Sequence, residues 1–147
     1  MARFLITTDL HQRRSKWEEL VEATERKRAV FLLIAGDLLP KDVGFVRQKE
    51  FFPQLRKILL LIRDRTGARV LLYLANDDAH FLEPLVDELA VENLCVNLNQ
   101  RVHRENGLGF CGMNKVRDYP LSTSHRTSRP GGGLPRSAGR SGSSPGR

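Results

Sequence analysis

The chain has 147 residues, 40% of them hydrophobic and 28% charged, a composition that fits one water-facing domain with a modest core. Its longest apolar runs, at 29–35, 58–62 and 70–75, fall far short of the roughly 18 to 20 residues of a spanning helix, and 4–7 is too short for a signal-peptide core. No membrane segment and a cytoplasmic location are therefore expected. The formal net charge of +7 is concentrated at the end of the chain: residues 1–120 hold 19 basic and 17 acidic side chains, and 121–147 add five arginines and no acid.

In chain order, residues 4–8 form an apolar, β-branched run suited to a buried parallel strand, and 15–28 place Trp17, Leu20, Val21 and Thr24 at helical spacing. Residues 30–35 predict a second strand. Pro40 and Gly44 mark a loop over 38–44, and 45–65 carry a helical pattern that Gly67 terminates. Pro53 lies inside that pattern, so either the helix kinks there or a new one starts with Pro53 in its first turn. A third strand is predicted over 69–75 and a helix over 79–90, with Pro84 an awkward early residue. Strand-like pieces at 94–98, 101–104 and 108–111 follow, and Asn106-Gly107 between the last two signals a hairpin turn. The expected class is α/β: a βαβαβ unit with a mostly parallel sheet, then a short hairpin. From about Leu121 the chain turns to Ser, Gly, Arg and Pro, which bury too little surface to offset their ordering entropy. A folded domain over 1–120 and a disordered tail over 121–147 are expected.

The basic groups Arg13-Arg14 and Arg26-Lys27-Arg28 are interrupted by Glu18, Glu19, Glu22 and Glu25, as on a solvated helix face. No aromatic residues interleave with them, so specific nucleic-acid recognition is not expected. Cys95 and Cys111 fit no metal-ligand spacing and are expected to be buried small apolar residues.

Three motifs carry chemistry. Asp9-Leu10-His11, Gly36-Asp37 and Asn76-Asp77-Asp78 each follow a separate strand-like run, about 25 to 40 positions apart. Parallel strands present their carboxyl ends on one edge, so these residues converge in space. Carboxylates gathered at an apolar rim repel one another, and a bound cation is the economical way to neutralise them. Singly, each motif has an ordinary reading. Asp9 could be a turn or capping residue, His11 a hydrogen-bonded surface group, and Gly36-Asp37 a turn. One of Asn76, Asp77 and Asp78 is expected to cap the helix beginning near Ala79, whatever the others do. The conjunction of carboxylates, an imidazole and an amide oxygen is the ligand chemistry of a divalent transition metal. The stretch Thr7-Thr8-Asp9-Leu10-His11-Gln12 lacks a glycine-rich loop, which excludes a Walker A or dinucleotide fingerprint. His11 also stands where aspartyl-phosphate phosphatases need a second Asp.

At these residues the sequence resembles the calcineurin-like metallophosphoesterases, whose pattern is D-x-H, then G-D, then G-N-H-[DE], and later an isolated His and a G-H-x-H. The resemblance covers roughly residues 1–120, and the first two motifs match unchanged. It implies that Asp9 and His11 bind a first metal, that Asp37 bridges, and that Asn76 ligates a second metal through its side-chain oxygen. Asp77 and Asp78 would occupy the positions of the family's catalytic His-acid pair. The metals implied are Mn, Fe, Zn or Ni. The reaction implied is hydrolysis of a phosphomonoester or phosphodiester, a small molecule or nucleotide, by a metal-activated hydroxide. The fold implied is half of the family's α/β/β/α sandwich.

The chain also departs from that pattern. Asp77 replaces the motif histidine; ionised, it accepts hydrogen bonds only and repels a phosphate dianion. Ala75 replaces a glycine, which requires a negative φ there. After Asp78 the histidines are His80, His103 and His125, none in a G-H-x-H context and each expected in a surface or packing role. One weak metal is therefore expected rather than two, with impaired activity. The alternative is a catalytically silent relative that serves as a binding module. The Ser-, Gly-, Arg- and Pro-rich end is what a shifted reading frame in a GC-rich gene would encode. A missing second sheet would leave an apolar face through which the chain self-associates.

Overall fold

The structure, a computed structural model, describes residues 3–114; the tail at 121–147, with His125, lies outside the described residues. Its elements are β1 (Phe4–Thr7), α1 (Arg14–Lys27), β2 (Phe31–Ala35), α2 (Phe45–Gln48), α3 (Phe52–Thr66), β3 (Arg69–Tyr73), α4 (Glu83–Val91), β4 (Val96–Asn97), β5 (Val102–Glu105) and β6 (Leu108–Cys111). Strands β1 to β4 form one parallel sheet in chain order, and β5 pairs antiparallel with β6 in a second, two-stranded sheet. This is an α/β fold, but the expected three-strand parallel unit is extended. Helix α4 leads into β4, which pairs with β3 at Leu71↔Val96 and Leu72↔Asn97. The strand-like piece at 94–98 thus joins the parallel sheet, with only Val96 and Asn97 in the ladder. Among the described residues no helix is long and apolar enough to cross a membrane.

Both prolines resolve into helix starts. Pro53 sits in the first turn of α3, after a 3-10 turn at Lys49–Phe51, and Gly67 ends α3 at φ +64°. Pro84 likewise occupies the first turn of α4, preceded by a 3-10 turn at His80–Leu82. A proline there forfeits no helical hydrogen bond, because the first N–H groups of a helix lack an internal partner anyway. The helix predicted over 79–90 therefore loses its first turn.

Alternation along the strands divides the apolar residues between the two faces of the sheet. Leu32, Ile34, Val70 and Leu72 point toward the helices and pack with Trp17, Leu20 and Val21 of α1 and with Phe52, Leu55, Leu59 and Ile62 of α3. These helical positions recur at three- and four-residue steps, which is why α1 and α3 bury one stripe each. The opposite face buries Phe31, Leu71 and Leu98 beneath Phe110 of the hairpin. Asn106 and Gly107 both take positive φ, as the two-residue hairpin turn demands. The hairpin is seated by Gly112: a Cβ there would lie 2.6 Å from the Tyr73 ring, so only glycine permits the approach. Cys95 is buried, and burial pushes its thiol up to about 12. Cys111 is exposed, contrary to expectation, because β6 turns that side chain away from the sheet it covers.

Candidate metal centre

The carboxyl ends of β1, β2 and β3 carry the three motifs, and apolar side chains between the polar ones anchor each loop. Leu10, Leu38, Leu39 and Ala79 are all buried in the helix-side core. Asp9 and His11 thus flank a buried leucine, and Asp37 immediately precedes two. The first two loops are tied by His11 N–H to Asp37 C=O at 2.9 Å, Gln12 N–H to Leu38 C=O at 2.9 Å, and Thr8 Oγ1–H to Ala35 C=O at 3.0 Å.

Both loops hold unfavourable backbone. Asp9, His11, Gln12 and Asp37 have φ of 57°, 46°, 54° and 53°, half of the eight non-glycine residues with positive φ among those described. Such strain persists only where surrounding contacts enforce it, and it concentrates at functional sites. Gly36 shows how tight the packing is. Its φ is +80°, and a Cβ there would sit 2.1 Å from the Cβ of Ala75. The β2 and β3 loops therefore meet through Gly36, and Ala75 is tolerated because it is not among the residues with positive φ.

The outcome is a cluster. One ligand atom each from Asp9, His11 and Asp37 lies within 4.8 Å of the others. His11 Nε2 is 3.7 Å from Asp9 Oδ1, and the His11 side chain is 9% exposed against 56% for Asp9. His11 Nδ1 is buried without a hydrogen-bond partner, as are both amide atoms of Gln12. Burial holds the Asp37 carboxyl above its ordinary range, opposed by the Asp77 N–H and reinforced by the charges of Asp77 and Asp9. A group of two carboxylates and an imidazole with this spacing suits a divalent cation, which would relieve the repulsion that Asp37 experiences.

The third motif approaches differently. Asp77 N–H donates to Asp37 Oδ1 at 3.2 Å, and the exposed Asn76 directs its Nδ2 to Asp77 Oδ1 at 3.0 Å. Asp78 is 1% exposed and accepts hydrogen bonds from the N–H groups of Leu38, Leu39 and Ala75 at 3.1, 2.8 and 3.0 Å. Burial raises its carboxyl above the ordinary value against those three bonds. The expected helix cap is absent: neither the 3-10 turn at His80–Leu82 nor α4 has a side-chain cap. Asp78 instead turns back to satisfy the N–H groups of Leu38 and Leu39 in the β2 loop with a charged acceptor.

Sequence reasoning missed Gln48, which is 1% exposed and bonded to Pro40, Asp77 and Ala79. A glutamine among charged residues on a short helix gives no signal of burial. Lys16, whose Nζ donates to the Asp9 carbonyl, was likewise indistinguishable from a solvated helix residue. The remaining described histidines lie apart from the cluster: His80 Nδ1 pairs with Asn114 Nδ2 at 3.2 Å, and His103 Nε2 with Glu105 Oε2 at 2.9 Å. No family model matches the chain, and no curated protein matches it.

Proposed function

We propose that the chain is a metal-dependent phosphoesterase of the calcineurin-like plan, impaired in turnover, with one weak cation site at Asp9, His11 and Asp37. On this reading the parallel sheet and the hairpin correspond to the first half of that family's sandwich. The observation that supports it is the convergence of those three side chains within 4.8 Å from two separate loops. A cation of the Mn, Fe, Zn or Ni class would supply charge neutralisation and a lowered pKa for water. The residues of the chain do the rest. Asp37 is the central carboxylate, oriented by the Asp77 N–H, and by the family resemblance Asn76 would offer its side-chain oxygen to a second metal. Asp77 would stand where the family places its motif histidine, and an ionised carboxylate there cannot donate a proton to a leaving group. Asp78, the acid of the family's His-acid pair by resemblance, holds the β2 and β3 loops together through its three backbone hydrogen bonds. The substrate class is a small phosphoester or nucleotide, met in the cytoplasm.

A second reading, a silent binding module on the same scaffold, is favoured by one specific observation. Among the described residues no imidazole beyond His11 joins the cluster. The two readings separate experimentally. Elemental analysis after dialysis should find at most about one metal per chain and none in Asp37→Asn, since a second position lacks ligands. Two tightly held metals would overturn the single-site reading. With Mn present, a nitrophenyl phosphodiester should turn over below about 1 per second, the low end for enzymes, and Asp77→His alone should not restore it. Metal uptake with no hydrolysis of any phosphoester would favour the binding module.

A further inference from the structure

We infer that Gln48 is a positioning residue for the metal-binding rim, fixing the Asp77 peptide against the Asp37 carboxylate; the inference rests on the metal reading above. Gln48 belongs to the four-residue helix α2, whose Val46 is 71% exposed, yet Gln48 itself is 1% exposed. Its amide is used on both sides. Nε2 donates to the Pro40 carbonyl at 3.0 Å and to the Asp77 carbonyl at 2.8 Å, and Oε1 accepts from Ala79 N–H at 2.7 Å. One side chain thus joins the loop that follows β2 to both ends of the turn that follows β3.

The consequence runs through a single peptide unit on each side of Asp77. Its carbonyl is held by Gln48 and its N–H donates to Asp37 Oδ1 at 3.2 Å. Asp78 restrains the same peptide unit from its other side, through its N–H to the Ala75 carbonyl at 3.2 Å, while the Asp77 carbonyl itself is held by Gln48. A methionine at position 48 would fill similar volume, but it would strand two carbonyls and one N–H in a buried setting. The Asp77–Asp78 peptide would then be held only through Asp78 N–H, and the adjoining Asp77 N–H would lose its fixed aim at Asp37 Oδ1. The loops would remain joined by Asp78, so the defect appears in metal affinity more than in the fold. Direct hydrogen-bond partners of metal ligands typically alter affinity by about 10- to 100-fold, and Gln48, which acts on Asp37 one residue further out through Asp77, belongs at the low end.

The test is a Co2+ titration of the full chain, of Gln48→Met and Gln48→Glu, and of Leu59→Ala as a destabilised control in α3 that belongs to none of the rim loops. Visible absorption reports both occupancy and coordination geometry. Gln48→Met and Gln48→Glu should bind Co2+ about 10-fold or more weakly with an altered spectrum, whereas folded Leu59→Ala should match the parent in both. Should neither Gln48 variant fold, nuclear magnetic resonance of the parent chain decides: on Zn2+ titration, the Gln48 side-chain amide and Ala79 N–H signals should shift in step with occupancy. A parent that takes up no Co2+ overturns the metal reading and this inference with it. A parent that binds while the Gln48 variants bind equally with the same spectrum, or in which those signals stay fixed, overturns this inference alone.

Discussion

Toward the helices, the sheet contributes Leu32, Ile34, Val70 and Leu72 to a continuous core that includes stripes of α1, α3 and α4. Away from them, Phe31, Leu71 and Leu98 are the buried apolar residues of a small cluster, and Phe4 and Ile6 remain 43% and 66% exposed. The cause is topological. A sheet whose strand order follows chain order, with every crossover of one hand, collects all its helices on one face. The candidate metal centre belongs to the covered face. Leu10, Leu38 and Leu39, which flank Asp9, His11 and Asp37, all enter the helix-side core. The rim loops are therefore anchored in the core beneath the layer of helices.

The largest expected effect tests the covered face. Leu59 is fully buried at its centre, and Leu59→Ala should cost about 2 to 5 kcal/mol in a denaturant melt. A loss below about 1 kcal/mol would mean that this core is loosely packed and that the contrast between the faces is false.

Phe110 measures what the hairpin adds to the other face. Its ring lies 5.1 Å from Phe31 and 6.0 Å from Phe4, but it is only partly buried. Phe110→Ala should cost about 1 to 3 kcal/mol, less than a full core truncation, and should leave Co2+ affinity unchanged. A change in metal affinity would show that the rim depends on both faces after all.

A smaller effect joins the two faces around the β4 edge. Arg101 makes bonds of 2.6 and 3.0 Å to the two oxygens of Asp87, which also accepts from Asn97 Nδ2 at 2.9 Å. The Arg101 hydrogen bond holds the Asp87 carboxyl below its ordinary range, helped by Asn97 and opposed by burial. A depressed folded value means stabilisation present above the ordinary aspartate pKa and lost as pH falls through the folded one. Both side chains are substantially exposed, so the pair is worth no more than about 1 kcal/mol. Arg101→Met should lower stability at pH 7 by that amount and by less as pH falls below the ordinary aspartate value. An undiminished difference at low pH would assign the effect to lost packing instead.

The smallest expected effect on stability is at Ile6. Ile6→Lys should change the melt by no more than about 0.5 kcal/mol, because little apolar surface is buried there. Its effect on association should be larger. Strand β1 is at the edge of the sheet and carries Phe-Leu-Ile-Thr with no charge, the pattern that natural edges avoid. Sedimentation of the parent should show concentration-dependent self-association that Ile6→Lys reduces. A monodisperse monomer in both would remove the bare face as an interaction surface.

Local chemistry was sufficient for much of this. The spacing of Trp17, Leu20, Val21 and Thr24 marks the buried stripe of α1, Asn106-Gly107 marks the hairpin turn, and the strand ends mark Asp9, His11 and Asp37. Each of these depends on periodicity or on a residue with its own conformational preference, so it is visible within a few positions of sequence. Other features needed partners distant in the chain. Whether Pro53 kinks a helix or begins one was decided by the packing of Phe52 and Leu55 in the core. Any one of Asn76, Asp77 and Asp78 reads as the helix cap, whereas the N–H groups of Leu38 and Leu39, about 40 residues earlier, claim the Asp78 carboxylate. Gln48 reads as solvated until two loops close around it. Sequence thus determined which groups stand at the rim, because strand ends converge by the geometry of a parallel sheet. The tertiary structure alone decided which of them cluster closely enough to hold a cation and which tie the loops together, because buried hydrogen-bonding groups take whichever partner the folded chain brings within reach.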